Sequence, residues 1–290
     1  MKASFIFERL VPNFIKTTYG EEFNRLIDRV FRIVYGTAYR TIKQKRDLGC
    51  DGIIETEKTV IACYAPEKPD KSKFENKLSE DYQKFEKNWA SLGYNLRFMT
   101  NQLLLASQVN SLKRLCNNCH IWGNGELTEF IRLQPPAVRR RLFLEVFDIP
   151  EELIVYDIVE EIIHEASKLE TFVDITLDYS LPQNLDKKVE RNFRKLRDLI
   201  LRHYRDIYPG YGYIYHKVFG SLDDTQINTL KIKVIGTYET IKLRHDNFDD
   251  AFLELVSELS KKYPNDDEYR IYAKMLVLYI FEQCLIGEEP

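Results

Sequence analysis

The residues whose types and spacing could do chemistry lie early in the chain. Asp51 stands between two glycines in Gly49-Cys50-Asp51-Gly52, just ahead of Ile53-Ile54. A carboxylate delivered by a turn to the start of a strand is a hard oxygen ligand, suited to Mg²⁺ or Mn²⁺. The same tetrapeptide also reads as a plain turn. Glu22, early in an amphipathic stretch, is a second candidate metal acid, or an acid favoured by the positive end of a helix. Tyr64 offers a hydroxyl to a phosphate oxygen or a water, and Glu67 and Lys68 offer an acid and a cation just past Pro66. Core packing and a solvated loop are the plain alternatives for those three. Arg40, Lys43, Lys45 and Arg46 concentrate positive charge just ahead of Asp51. Such a cluster can hold a nucleic-acid backbone with salt-dependent affinity, and it equally suits a charged edge strand.

Other patterns carry less. Cys116-Asn-Asn-Cys119-His120 matches a haem c attachment pattern and half a zinc knuckle, but no second Cys/His pair has partner spacing. Arg139-Arg140-Arg141 reads as a helix surface. There is no Walker A loop and no Gly-rich dinucleotide turn, so any ATP hydrolysis must come from a partner.

These residues must be positioned by folded elements, and the composition allows a sizeable core. Of 290 residues, 44% are hydrophobic and 30% charged, which excludes a disordered chain. A net charge of −3 excludes a globally basic nucleic-acid footprint and leaves room for a local one. Five cysteines, an odd number in a chain this long, do not make a disulfide framework. The start is interrupted by Glu8 and Arg9 too soon for a signal peptide, and the apolar run Met275 to Phe281 is far too short for a membrane span. A soluble, cytoplasmic protein with no membrane contact is the expectation.

Periodicity places the elements. Phe23, Leu26, Ile27, Val30, Phe31 and Val34 recur at helical spacing. Strand-like runs follow at Tyr39 to Ile42, Gly52 to Ile54 and Thr59 to Tyr64, the last two joined by the hairpin loop Glu55-Thr56-Glu57-Lys58. Phe74, Leu78, Tyr82, Phe85 and Trp89 mark a long amphipathic helix, Tyr94 to Met99 a strand, Val109 to Leu115 a helix, His120 to Trp122 a strand and Leu127 to Leu133 a helix. Beyond residue 150 strand signals fade. Helical patterns run over Leu153 to Ala166, Leu185 to Tyr204, Ile227 to Ile241, Phe248 to Leu259 and Tyr269 to Ile286, with Asn247 and Asn265-Asp266-Asp267 as start signals. Glu170 to Leu181 is ambiguous. From Ile271 to Ile286 almost every position is apolar, so that helix is either the centre of its bundle or shared with a second chain.

A helix, a three-stranded meander, a helix and a further strand form the core layout of the PD-(D/E)XK nuclease fold. In that fold an acid on the second strand and a (Glu/Gln)-x-Lys triplet on the third hold Mg²⁺ and orient the attacking water. Asp51 takes the first place, and the triplet, eleven residues on, falls on Ala62-Cys63-Tyr64, where both the acid and the lysine are missing. Gly49-Cys50-Asp51-Gly52 followed by Tyr64-Ala65-Pro66-Glu67 resembles a divergent restriction-endonuclease-like family of bacterial defence loci. Val277 to Gly287 is similar to the C-terminal domain of ABC three-component systems, in which an effector stands beside an SMC-like ABC ATPase and a small middle component.

The resemblance implies an α/β restriction-endonuclease-like domain over 1–150, a connecting helix and linker over 151–182 and an all-α bundle over 183–290. It implies an anti-phage or anti-plasmid effector, an Mg²⁺- or Mn²⁺-dependent DNA endonuclease in a homo- or hetero-oligomer, with Phe281 and Ile286 on the partner-binding face. The missing triplet supports a different expectation, a catalytically inactive nuclease fold acting as a DNA-binding or adaptor subunit.

Overall fold

The computed structural model describes residues 5–42, 49–106, 108–110, 119–170, 185–283 and 285–287. The chain divides into two compact units, Ala3–Pro150 and Glu151–Pro290. The first is an α/β unit built on a mixed sheet, and the second is helical.

In the first unit a π-type turn, Ile6–Leu10, runs into α1, Val11–Thr17, and then α2, Gly20–Tyr35. The meander follows as β1 Tyr39–Thr41, β2 Gly52–Ile54 and β3 Thr59–Cys63. Helix α3, Lys71–Asn88, crosses to β4, Asn95–Met99. Then come β5 Cys119–Trp122, α4 Asn124–Arg132 and α5 Pro136–Glu145. The five strands lie in the order β1-β2-β3-β4-β5. The first three are antiparallel, whereas β4 runs parallel to β3 and β5 parallel to β4. The parallel pairing requires a crossover, and α3 supplies it.

Strand β3 is buried at every position, as a central strand covered on both faces must be. On one face Val60, Ala62, Leu96 and Phe98 pack against Phe74, Leu78 and Phe85 of α3. On the other, Phe31 of α2 meets Tyr39 and Trp122 edge-on, with ring centroids 5.6 and 6.5 Å apart. The hairpin turn Glu55 to Lys58 closes with Lys58 in the left-handed region, φ 48°.

The second unit begins with α6, Glu151–Ala166, whose apolar positions are buried. It continues with α7 Leu185–Asn192, α8 Arg197–Arg202, a π-type turn His203–Ile207, α9 Tyr208–Phe219, α10 Asp224–Lys242, α11 Phe248–Leu259 and α12 Asp267–Glu282. The cap signals act as their chemistry suggests: the side chains of Asn247 and Asp266 accept from the N–H groups of Asp250 and Tyr269.

Two sequence expectations change here. The continuous stripe from Leu185 to Tyr204 is broken between α7 and α8. The cause is distant in the chain: Asp249, 2% exposed, accepts N–H bonds from Arg194 and Leu196 at 2.9 and 2.8 Å and a longer one from Lys195 at 3.3 Å. The apolar helix α12 is the bundle's own centre, packed against α6, α9 and α11. Phe281 is fully buried among Phe193 and Phe248, with the Lys188 ammonium 2.8 Å from its carbonyl oxygen, and Ile286 is 2% exposed. Neither is a surface residue of this unit, where a partner-binding face was expected. Among the described residues no helix is long and apolar enough to cross a membrane.

Candidate functional site

Asp51 enters its place through a glycine. Gly49 has φ +79°, a conformation that L side chains rarely adopt, and an added Cβ would lie 2.5 Å from Cβ of Lys84 on α3. Only a residue without a side chain lets the loop press this closely on the helix. The loop then joins the sheet: the Asp51 N–H donates to the Ile61 carbonyl at 2.7 Å, and the Ile42 N–H donates to the Asp51 carbonyl at 3.0 Å. The carboxylate is held from two sides, Oδ2 by the Cys63 N–H at 2.7 Å and Oδ1 by the Asn24 amide of α2 at 3.3 Å.

Facing this loop, α3 carries Asp81, which is 2% exposed. Its Oδ1 accepts from Lys77 Nζ at 2.6 Å, and Lys84 Nζ lies 4.0 Å away. Asp51, Asp81, Lys77 and Asn24 line one hollow of about 300 Å³ together with Gly49 and Cys63. A second hollow, about 430 Å³, shares Asn24, Asp51 and Cys63 and reaches Asp28, Arg25 and Tyr39. Asp51 is thus common to both. Burial, reinforced by Asp51 and Asp81, pushes the Cys63 thiol well up.

The other sequence candidates fall elsewhere. Glu22 is exposed on α2, paired with Arg25 at 2.6 Å, and lines neither hollow. Tyr64 is half-buried with its ring against Phe74, and burial raises its hydroxyl's pKa. Glu67 lines a separate, larger cleft, and Lys68 is exposed on the loop after β3. None of these four joins Asp51. Arg40, on the edge strand β1, pairs with Glu55 at 3.6 Å. Lys43, Lys45 and Arg46 lie outside the described residues, as do Cys116 and most of the helix expected at Val109 to Leu115. Cys119 is buried in the core of β5. Of the three arginines at 139–141, Arg139 is buried rather than on the surface.

The helix-borne pair Lys77 and Asp81 was missed in the sequence, although a signal exists. The buried positions of α3 are Phe74, Leu78, Asp81 and Phe85, spaced by four, three and four. Asp81 therefore stands in the apolar stripe, where a carboxylate needs a reason.

Two carboxylates and an amide oxygen are hard donors. Among the described residues no three His, Cys, Asp or Glu side chains converge on one point. The chain matches no family model, no curated protein and no solved structure.

Proposed function

We propose that the α/β unit is a metal-dependent DNA endonuclease whose strand-borne acid and lysine have moved to the crossover helix. The observation that carries this reading is that Asp51, Asp81 and Lys77 line one hollow at the end of the sheet. The order α2-β1-β2-β3-α3-β4 supports it, being the layout expected of a PD-(D/E)XK core. The donor set fits Mg²⁺ or Mn²⁺, which use one or two protein carboxylates and leave the remaining positions to water and substrate phosphate.

Asp51 and Asp81 are the residues to hold the ion. When bound, it supplies charge to the scissile phosphate and a water of lowered pKa. The protein's own part is positional and electrostatic. The Cys63 N–H and the Asn24 amide fix the rotamer of Asp51. Lys77, beside Asp81 in the same hollow, would offset the growing negative charge on phosphate oxygens. Arg40 and the basic residues that follow it contribute backbone attraction that weakens with salt. In this reading the chain is the effector of a bacterial defence complex with an SMC-like ATPase and a small middle component. Its helical unit joins that complex through exposed side chains such as Leu243 and Leu253 rather than through α12.

The test is cleavage of supercoiled and linear duplex DNA with Mg²⁺ or Mn²⁺, by the chain alone and in complex with its ATPase. Asp51→Ala, Asp81→Ala and Lys77→Met should each lower the rate by about a hundredfold or more. The adaptor reading is favoured by the missing triplet at Ala62-Cys63-Tyr64 and by the pairing of Lys77 with Asp81 at 2.6 Å. DNA binding with no cleavage under any of these conditions would establish it instead.

A further inference from the structure

A cleft of about 630 Å³ opens beyond the ends of β3 and β4, and the chemistry proposed above makes no use of it. Lys16 comes to it from the end of α1, Tyr19 from the joint between α1 and α2, Pro66 and Pro69 from the loop after β3, and Asn101 and Leu103 from the loop after β4. The carboxyl ends of parallel strands are where open α/β sheets take up ligands, because the loops there diverge and leave a crevice.

Three features say what would occupy it. The first is an unpaired acceptor. Asn101 is 2% exposed, and its amide nitrogen donates to the carbonyls of Lys16 and Thr18 at 3.3 and 3.0 Å. Its Oδ1 is buried with no partner among the described residues. A buried amide oxygen left so is costly unless a donor meets it, and an N–H of an occupant is the donor it lacks. The second is apolar surface in open water. Leu103 and Leu105 are 74% and 63% exposed, and Tyr19 is 38% exposed beside the prolines. A flat apolar body covers such a wall and stacks on the tyrosine ring. The third is charge balance. Lys16 and Lys71 are offset by Glu67 and Asp70, so the cleft does not favour a highly charged anion.

We infer that this cleft binds a nucleobase with an exocyclic amino group. The amine donates to Oδ1 of Asn101, the ring lies on Tyr19 and the proline wall, and no more than one phosphate is within reach of Lys16. The base is carried by a free nucleoside monophosphate or by an unpaired nucleotide of a strand. The inference does not depend on the metal reading of Asp51.

Calorimetric titration of the full chain with AMP, ATP, the 5′-monophosphate of purine riboside (which lacks the amine) and an oligodeoxyadenylate tests it. AMP should bind at least about tenfold more tightly than the deaminated analogue, and ATP no more tightly than AMP. Tyr19→Ser and Leu103→Lys change exposed wall residues and should weaken AMP binding about tenfold with the melting temperature unchanged. Asp51→Ala should leave AMP binding intact, which separates a failure here from a failure of the nuclease reading. Tighter binding per base by the oligonucleotide assigns the strand as source, and a preference for AMP assigns the free nucleotide. The inference is overturned if neither AMP nor the oligonucleotide binds at millimolar concentration, if the deaminated analogue binds equally well, or if the two wall variants bind AMP as the parent does.

Discussion

Asp81 of the α/β unit and Asp249 of the helical unit are equally buried, at 2% exposure each, and are held in opposite ways. Asp249 is bound by backbone N–H groups of Arg194, Lys195 and Leu196, which cannot leave without opening the chain between α7 and α8. Asp81 faces the ammonium groups of Lys77 and Lys84, one turn away on either side, and a hollow. Lys77 and Lys84 are partly exposed and can swing into water. Burial alone therefore does not separate a structural acid from a functional one. Under the proposed reading the partner does: a fixed amide makes a cap, whereas a part-exposed lysine beside Asp81 leaves a carboxylate for a ligand.

That contrast is broken most directly by truncating each acid. Asp249→Ala should cost about 3 kcal/mol or more, because several buried donors lose their acceptor at once. Urea unfolding would measure it, and Asp249→Asn should recover part of the loss through its one remaining acceptor. A cost below about 1 kcal/mol would mean that the break between α7 and α8 is held by packing alone. Gly49→Ala comes next. The left-handed backbone and the collision with Lys84 should together cost about 2 kcal/mol and move Asp51 away from Asp81. Wild-type stability and wild-type divalent-ion binding in this variant would show that the loop does not need its close approach to α3. Asp81→Ala should change stability by no more than about 1 kcal/mol, since the freed lysines can be solvated. A loss as large as that of Asp249→Ala would make Asp81 a structural acid and remove it from the proposed site.

The same contrast explains what could be read from the sequence. Strands β2, β3 and β4 and helices α2 and α3 carry strong periods and short connections, and all five form where the pattern puts them. Asp51 was legible because Gly-x-Asp-Gly marks a turn into a strand. Asp81 was not, because one polar residue in an apolar stripe of charged neighbours looks like part of the solvated face. Helix α9 was missed because Pro209, Gly210 and Gly212 break its pattern, and tertiary packing overrides such propensities. The break before α8 was invisible for a different reason, since its cause lies more than fifty residues away in Asp249. Lys188 belongs with it: fully buried, it meets the carbonyl of Phe281 across an even longer stretch of chain. The clefts at the sheet's end depend on loops from α1, β3 and β4 meeting there, which no local window contains.

The hairpin end of the sheet offers the smallest and sharpest test, because Tyr35, Glu57 and Arg97 form one linked polar group there. The Tyr35 hydroxyl donates to Glu57 at 2.6 Å, Glu57 also accepts from Arg97 at 2.8 Å, and the Arg97 guanidinium lies 3.9 Å above the Trp122 ring. Burial first, and the Glu57 carboxylate second, push the Tyr35 pKa up to about 12. The unfolded chain releases this proton near pH 10 and the folded chain only near 12. Between those values the unfolded state binds fewer protons, so stability falls as pH rises. The contribution is complete below pH 10 and is lost by about pH 12. Ultraviolet titration should show one tyrosine ionising near 12 that disappears in Tyr35→Phe, and the variant's stability should decline less steeply over that window. An unchanged slope in Tyr35→Phe would mean that Glu57 and Arg97 match each other without the tyrosine, leaving the hairpin end as an ordinary surface ion pair.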